Sequence, residues 1–221
     1  MNFMEFNKTI QTKYNTKDQQ IFFCSDPHFS HGNIMKFCKR PFQTTEEMDE
    51  YMVKRWNERV KPKDIVFILG DFCFGGSGRW NDLLDRLNGK KYLILGNHDE
   101  KNLRQGYMQR FESVTYQMHI YVDGQSIYLN HYPFLCYAGS YRGEKSEVWQ
   151  LFGHVHTTPK TKEGRDISRL SALFPLQYDV GFDNNDYMPI TFEEVKAKIQ
   201  YQKTHGEWKR KIIAWVLKLF K

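Results

Sequence analysis

No stretch of the 221 residues stays apolar for the ~20 positions a helix needs to cross a bilayer, so no spanning segment is expected. The opening residues, MNFMEFNKTIQTKYNTKDQQ, lack the uninterrupted apolar core of a secretion signal. The four cysteines, Cys24, Cys38, Cys73 and Cys136, form no Cys-x-x-Cys pair, which excludes a disulfide framework and leaves reduced, small buried side chains. A cytoplasmic location follows as the expectation. Internal repeats, low-complexity blocks and long linkers are also missing, so one domain is expected over 1–206, with 1–19 flexible or forming an edge strand.

Charge of one sign is scarce in the body of the chain. The net charge is +6, but 207–221 holds five basic residues and one acidic residue, which is +4. The remaining 27 basic and 25 acidic residues leave only +2, so a uniformly basic nucleic-acid-binding body is not indicated. What the chain does have is aromatic mass, 17 Phe, 13 Tyr and 5 Trp, enough for a substantial core.

Short apolar runs alternate with helical patterns. IFFCSD (21–26), DIVFILGD (64–71) and KYLILGNHD (91–99) read as buried strands. A short helix is expected over 33–39, ended by Pro41. Thr44 and Glu47 have capping-box spacing and open a helix to about Val60, whose stripe includes Met48, Met52 and Trp56. Residues 79–89 read as another helix, capped by Gly89. Beyond residue 113 the pattern changes: Asp123-Gly124 separates two aromatic and β-branched runs, a hairpin signal, and 148–156 and 178–183 are further strands. Thr191 with Glu194 starts a last capped helix. The expected fold is α/β: a two-sheet layered sandwich flanked by helices, the first sheet largely parallel and the second mostly antiparallel.

Five apolar runs finish in polar, ion-binding chemistry: IFFCSDPH, FILGD, LILGNHD, IYLNH and LFGHVH. A buried strand has no packing reason to end in this way. Ligands of open α/β sheets bind beyond the carboxyl ends of the strands. Tips that share one edge would gather Asp26, His28, Asp71, Asn97, His131, His154 and His156. Mixed carboxylate, imidazole and amide donors suit divalent Mn, Fe, Zn or Ni, and two such ions can clamp a phosphoryl group in transfer.

The ordered set Asp-x-His, Gly-Asp, Gly-Asn-His-Asp, His and Gly-His-x-His, spanning 26–156, resembles the calcineurin-like metallophosphoesterase superfamily. The text SDPHFSHGNIMKFCKRPF and VGFDNNDYMPITFEEV is similar to a small phage- and bacterial-type branch and extends the likeness to Val195. The resemblance implies hydrolysis of a phosphate ester by water activated between two divalent ions. Asp26, His28, Asp71 and His156 would hold one ion; Asp71, Asn97, His131 and His154 would hold the other. His98 would protonate the leaving group or stabilise charge on phosphorus, oriented by Asp99. A nucleotide-like phosphodiester is the expected substrate, with a phosphomonoesterase or a nuclease as alternatives on the same centre. A non-catalytic interaction module would lack some of these residues, and none is missing.

His31 and Arg40 are candidates for contact with a substrate phosphate, because a guanidinium matches that geometry, with a helix-capping or salt-bridge role as the equal alternative. Residues 157–177 read as a polar loop near the site. The tail, 207–221, is expected to form a basic amphipathic helix with Trp208, Ile212, Trp215 and Leu219 on one face. Docking onto the domain or onto a second copy, or peripheral contact with a membrane, are its two readings.

Overall fold

The computed structural model describes residues 12–103, 110–140, 142, 146–157, 173 and 175–205. The tail after residue 205, and with it the expected amphipathic helix, lies outside the described residues, as does most of the loop expected at 157–177. Among the described residues, no helix is long and apolar enough to cross a membrane.

Two five-stranded sheets face each other. The first runs β10-β2-β3-β4-β5, built from β10 (Ile190–Thr191), β2 (Ile21–Cys24), β3 (Ile65–Ile68), β4 (Lys90–Ile94) and β5 (Ser113–Thr115). Strands β2 to β5 are parallel and β10 is antiparallel at the edge. The second runs β1-β6-β7-β8-β9, from β1 (Lys13–Tyr14), β6 (Gln117–Val122), β7 (Gln125–Asn130), β8 (Trp149–Phe152) and β9 (Gln177–Asp179).

Strands β2 and β3 are buried along their whole length because both of their faces are covered. Phe23, Phe67 and Ile94 point between the sheets, where they join Ile120, Ile127, Leu129 and Leu151 of the second sheet. Phe22, Val66, Ile68 and Leu93 point the other way. They pack against Met48, Met52 and Trp56 of helix α2 (Thr45–Arg59) and Trp80 and Leu83 of α3 (Gly76–Arg86). Helix α1 (Gly32–Phe37) and the single turn α4 (Glu100–Leu103) lie at the strand tips, and α5 (Phe192–His205) closes the chain's described part.

The capped helices form where expected. Thr44 accepts from the Glu47 amide, although the Glu47 carboxylate returns to the amide of Gln43 rather than to that of Thr44. Thr191 and Glu194 close the reciprocal pair at the start of α5. Helix α3 starts and ends three residues before the expected span. Gly89 caps nothing: at φ +90° it turns the chain into β4, where a Cβ would meet Val60 Cγ1 at 2.8 Å.

The second sheet corrects the expectation of a mostly antiparallel layer. Only the hairpin pair β6–β7 is antiparallel; β1–β6, β7–β8 and β8–β9 are parallel. The connections 131–148 and 153–176 carry the chain back to the starting end of the sheet. Parallel pairs need crossovers of a dozen or more residues, and these two lack the helical periodicity that would have announced them. The strand expected over 178–183 stops at Asp179 and gives way to a 3₁₀ turn, Phe182–Asn184.

Parallel direction puts the carboxyl ends of β2, β3 and β4 at one edge of the first sheet and those of β7, β8 and β9 at one edge of the second. The two edges meet. Ser25 bridges to Gly181, and the Ser25 amide donates to the Val180 carbonyl, stitching the sheets together beside the tips.

Candidate metal centre

Strand ends from both sheets supply the site. Asp26 and His28 follow β2, Asp71 follows β3, Asn97 and His98 follow β4, His131 follows β7, and His154 and His156 follow β8. The backbone is bent hard to aim them. Asp26, His28, Asp71, His154 and His156 all lie in the left-handed region, with φ of 53°, 51°, 53°, 69° and 47°. Only a few per cent of non-glycine residues adopt this region, Asp, Asn and His most readily.

Hydrogen bonds then divide each carboxylate into a structural oxygen and a directed one. Asp26 Oδ2 accepts from the His154 amide at 2.8 Å, across the two sheets, while Oδ1 faces inward. Asp71 Oδ1 accepts from the His98 amide at 2.9 Å, and Oδ2 stands 3.6 Å from both His28 Nε2 and His131 Nε2. His131 Nδ1 lies 2.7 Å from the Leu69 carbonyl, which can only accept, so the ring proton is on Nδ1. Its Nε2 lone pair therefore faces Asp71 Oδ2 and the Asn97 Oδ1 atom, 3.1 Å away. His156 repeats the pattern: Nδ1 is 2.8 Å from Asp183 Oδ2, and Nε2 is 3.8 Å from Asp26 Oδ1.

Two sets of donor atoms result, Asp26, His28 and His156 in one and Asp71, His131 and His154 in the other, each drawn together within 4.8 Å. Both could hold a metal ion. The donors fit a divalent cation: Asp26 Oδ1 and His28 Nε2 are buried and have no hydrogen-bond partner among the described residues, a state native proteins rarely carry without compensation. Nitrogen and oxygen ligands at about 2.0–2.2 Å from a shared ion stand roughly 3–4 Å apart, as these do.

The electrostatics agree. Burial, reinforced by the nearby His156, holds His28 far below the usual imidazole range, so it is neutral and able to ligate. Burial also lifts the Asp71 carboxyl above its ordinary value, with His131 opposing and Asp26 adding to the rise. Burial would lower His156, but the Asp183 hydrogen bond, then Cys38 and Asp26, carry it up to about 11.

Close approach requires glycine at two places. A Cβ on Gly96 would sit 2.2 Å from Asp71 Oδ1, and one on Gly153 would sit 1.9 Å from Ser25 Oγ and 2.2 Å from Asp26 Oδ2.

All seven expected ligands lie at this edge, with Asn97 exposed at the rim. His98 is exposed, its ring 4.8 Å from Phe74 and 6.0 Å from His28. His31 stacks on Phe74 at 3.8 Å and sets Nδ1 3.3 Å from His28 Nδ1. One role is corrected and another is narrowed. Asp99 does not orient the His98 ring: it is fully buried and accepts from the amides of Asp71, Phe72 and Gly96, bracing the two tips. Burial pushes its carboxyl up to about 6 in spite of those amides. Arg40 takes the salt-bridge role of its two expected readings and not the substrate contact, because its side chain is fully buried against Asp183, the Asp26 carbonyl and the Pro27 carbonyl.

Asp183 is the site residue that sequence reasoning missed. Its signal was present, since YDVGFD is a sixth apolar run that finishes in a carboxylate.

Comparison with known proteins agrees with this geometry. Residues 20–212 match the family model for calcineurin-like phosphoesterase. The uncharacterized protein MJ1445 of Methanocaldococcus jannaschii is 35% identical over 140 residues, covering 62% of this chain and 70% of the relative. The Gene 66 protein of Mycobacterium phage D29 is 28% identical over 205 residues, 81% of this chain and 95% of the relative. A crystal structure of the protein of unknown function AQ665 from Aquifex aeolicus shares the fold, with a TM-score of 0.61 and 22% identity over 81% of this chain and 99% of that one.

Proposed function

The chain belongs to the calcineurin-like phosphoesterase family, a family of metal-dependent phosphoesterases, and we propose that it hydrolyses nucleotide-like phosphodiesters at a two-ion centre. The observation that carries this reading is that partnerless His28 Nε2 stands 3.8 Å from partnerless Asp26 Oδ1 and 3.6 Å from Asp71 Oδ2, which lies equally close to His131 Nε2 of the second donor set. Asp26, His28, Asp71 and His156 would hold one cation, and Asp71, Asn97, His131 and His154 would hold the other.

Divalent cations in these positions supply an acidified water and neutralise charge on the phosphoryl oxygens. The protein's own groups do the rest. His98, exposed at the rim, donates a proton to the departing oxygen, a general-acid contribution of about 10²–10⁴-fold. Asp71 Oδ1 fixes that histidine's backbone through the 2.9 Å hydrogen bond to its amide. His31, half-buried beside His28 and stacked on Phe74, contacts the phosphate.

The rim supports a substrate with flat rings. Tyr132 is 44% exposed, its ring 4.6 Å from His154. With half-buried Phe74 it offers aromatic surface next to the donors.

Apo-protein reconstituted with Mn, Ni, Zn or Fe, and given bis-p-nitrophenyl phosphate, the monoester, cyclic nucleotides and single-stranded DNA, tests the reading. Diester turnover should exceed monoester turnover, and His98→Ala should keep its metal while losing about 10²–10⁴-fold in turnover. Faster monoester turnover would make the protein a phosphomonoesterase, and loss of metal from His98→Ala would make His98 a ligand.

A further inference from the structure

His156 follows β8 on a left-handed backbone, with a fifth of its side chain exposed. A group that fixes its ring comes from elsewhere in the chain. Asp183, on the 3₁₀ turn after β9, accepts from His156 Nδ1 at 2.8 Å. Arg40, which follows α1, grips the same carboxylate with Nε at 2.8 Å and Nη2 at 2.9 Å. Its remaining donors reach back to the site: Nη1 to the Pro27 carbonyl at 2.7 Å and Nη2 to the Asp26 carbonyl at 2.9 Å. The Tyr187 ring covers the guanidinium at 5.6 Å. We propose that Asp183 and Arg40 are positioning residues for one cation site, fixing the His156 ring and the Asp26–Pro27 backbone as a single unit.

Three features of the arrangement support this. A ligating histidine that gives its second ring N–H to a carboxylate has its tautomer and rotation set, and the Asp183 bond leaves His156 Nε2 facing Asp26 Oδ1. The guanidinium balances the Asp183 charge, so the pair supplies direction without adding net negative charge near the donors. Finally, Arg40 secures the two successive carbonyls of Asp26 and Pro27, in the stretch from Asp26 to His28 whose two end residues are in the left-handed region. A lysine could not serve both the carboxylate and the carbonyls, because its donors share one nitrogen. Cys38, His156 and Asp183 also lie within 4.8 Å of one another, but the Arg40 fork already occupies the carboxylate, so this trio serves His156 and not a further ion.

The inference rests on the cation-binding reading above, and its test reads metal binding, not turnover. Mn²⁺ titration of apo-protein by calorimetry, with far-UV circular dichroism as the folding control, should find two sites in the natural sequence. Asp183→Asn should weaken one of them about 10–100-fold and leave the other unchanged. His156→Ala should weaken the same site, and adding Asp183→Asn to it should cost less than Asp183→Asn costs alone, because part of the carboxylate's effect passes through that ring. If Asp183→Asn does not fold, Arg40→Lys takes its place and should weaken the same site. Equal loss at both sites, additive loss in the double variant, or unchanged binding would overturn the positioning role. A natural protein that binds no Mn²⁺ would instead overturn the two-ion reading, and with it this one.

Discussion

Asp26, His28, Asp71, His154 and His156 share a backbone conformation that costs of order 1–3 kcal/mol per residue, and each holds a donor that the site needs. Their neighbours make the bend achievable. Gly153 lets the β8 tip press against Ser25 and Asp26, where a methyl group would collide at 1.9 Å and 2.2 Å. Gly153→Ala should therefore push the His154 amide off Asp26 Oδ2 and reduce turnover at least about 10²-fold, the penalty for misplacing catalytic groups by about 1 Å. Overpacking of this kind costs about 1–3 kcal/mol, so the protein should stay folded. Metal analysis beside circular dichroism checks both halves: full metal occupancy in the alanine variant would contradict the close-approach account. The residues that gather at this rim were legible in the sequence because each breaks a packing rule at the end of an apolar run. The role of Asp99 was misread, and that of Arg40 left open, for the opposite reason. Both are charged residues beside the motif, and only three-dimensional placement shows that their partners are buried backbone and Asp183.

Helix caps are local events, and the sequence displayed those of α2 and α5. The Thr191–Glu194 pair closes both hydrogen bonds at the start of α5, a helix that buries Phe192, Val195 and Ile199 against the inter-sheet core. Thr191→Ala should cost about 1 kcal/mol, a fall of roughly 2–4 °C in Tm for a protein of this size. Differential scanning calorimetry would show the shift, and metal affinity should not change, because the cap touches no ligand. Sheet pairing was less legible than helix capping. The Asp123-Gly124 hairpin is written into four residues of chain, whereas β7–β8 and β8–β9 pair across crossovers whose sequences carry no periodic signal. Strand direction in the second sheet is a long-range property. The alternation of apolar and polar residues identifies strands but not their partners.

At the scale of the molecule, the candidate centre belongs to neither sheet. Three strand tips of the first sheet and two of the second supply its donors, and the sheets are joined there by Ser25–Gly181 and by Asp26 with the His154 amide. Binding only to the folded state raises stability by about 2.7 kcal/mol at 100-fold excess over Kd. Removing the ions with a chelator should therefore lower Tm by roughly 5–11 °C, using about 2–4 °C per kcal/mol. An unchanged melting curve would mean that the donor sets hold nothing tightly. Because the carboxylate of Asp26 spends one oxygen on the opposite layer and keeps the other for the ion, a bound cation becomes a rivet through both layers. Heat that begins to peel the layers apart at that rim would withdraw the rivet in the same motion. Thermal inactivation and metal release should then be one event observed by two methods.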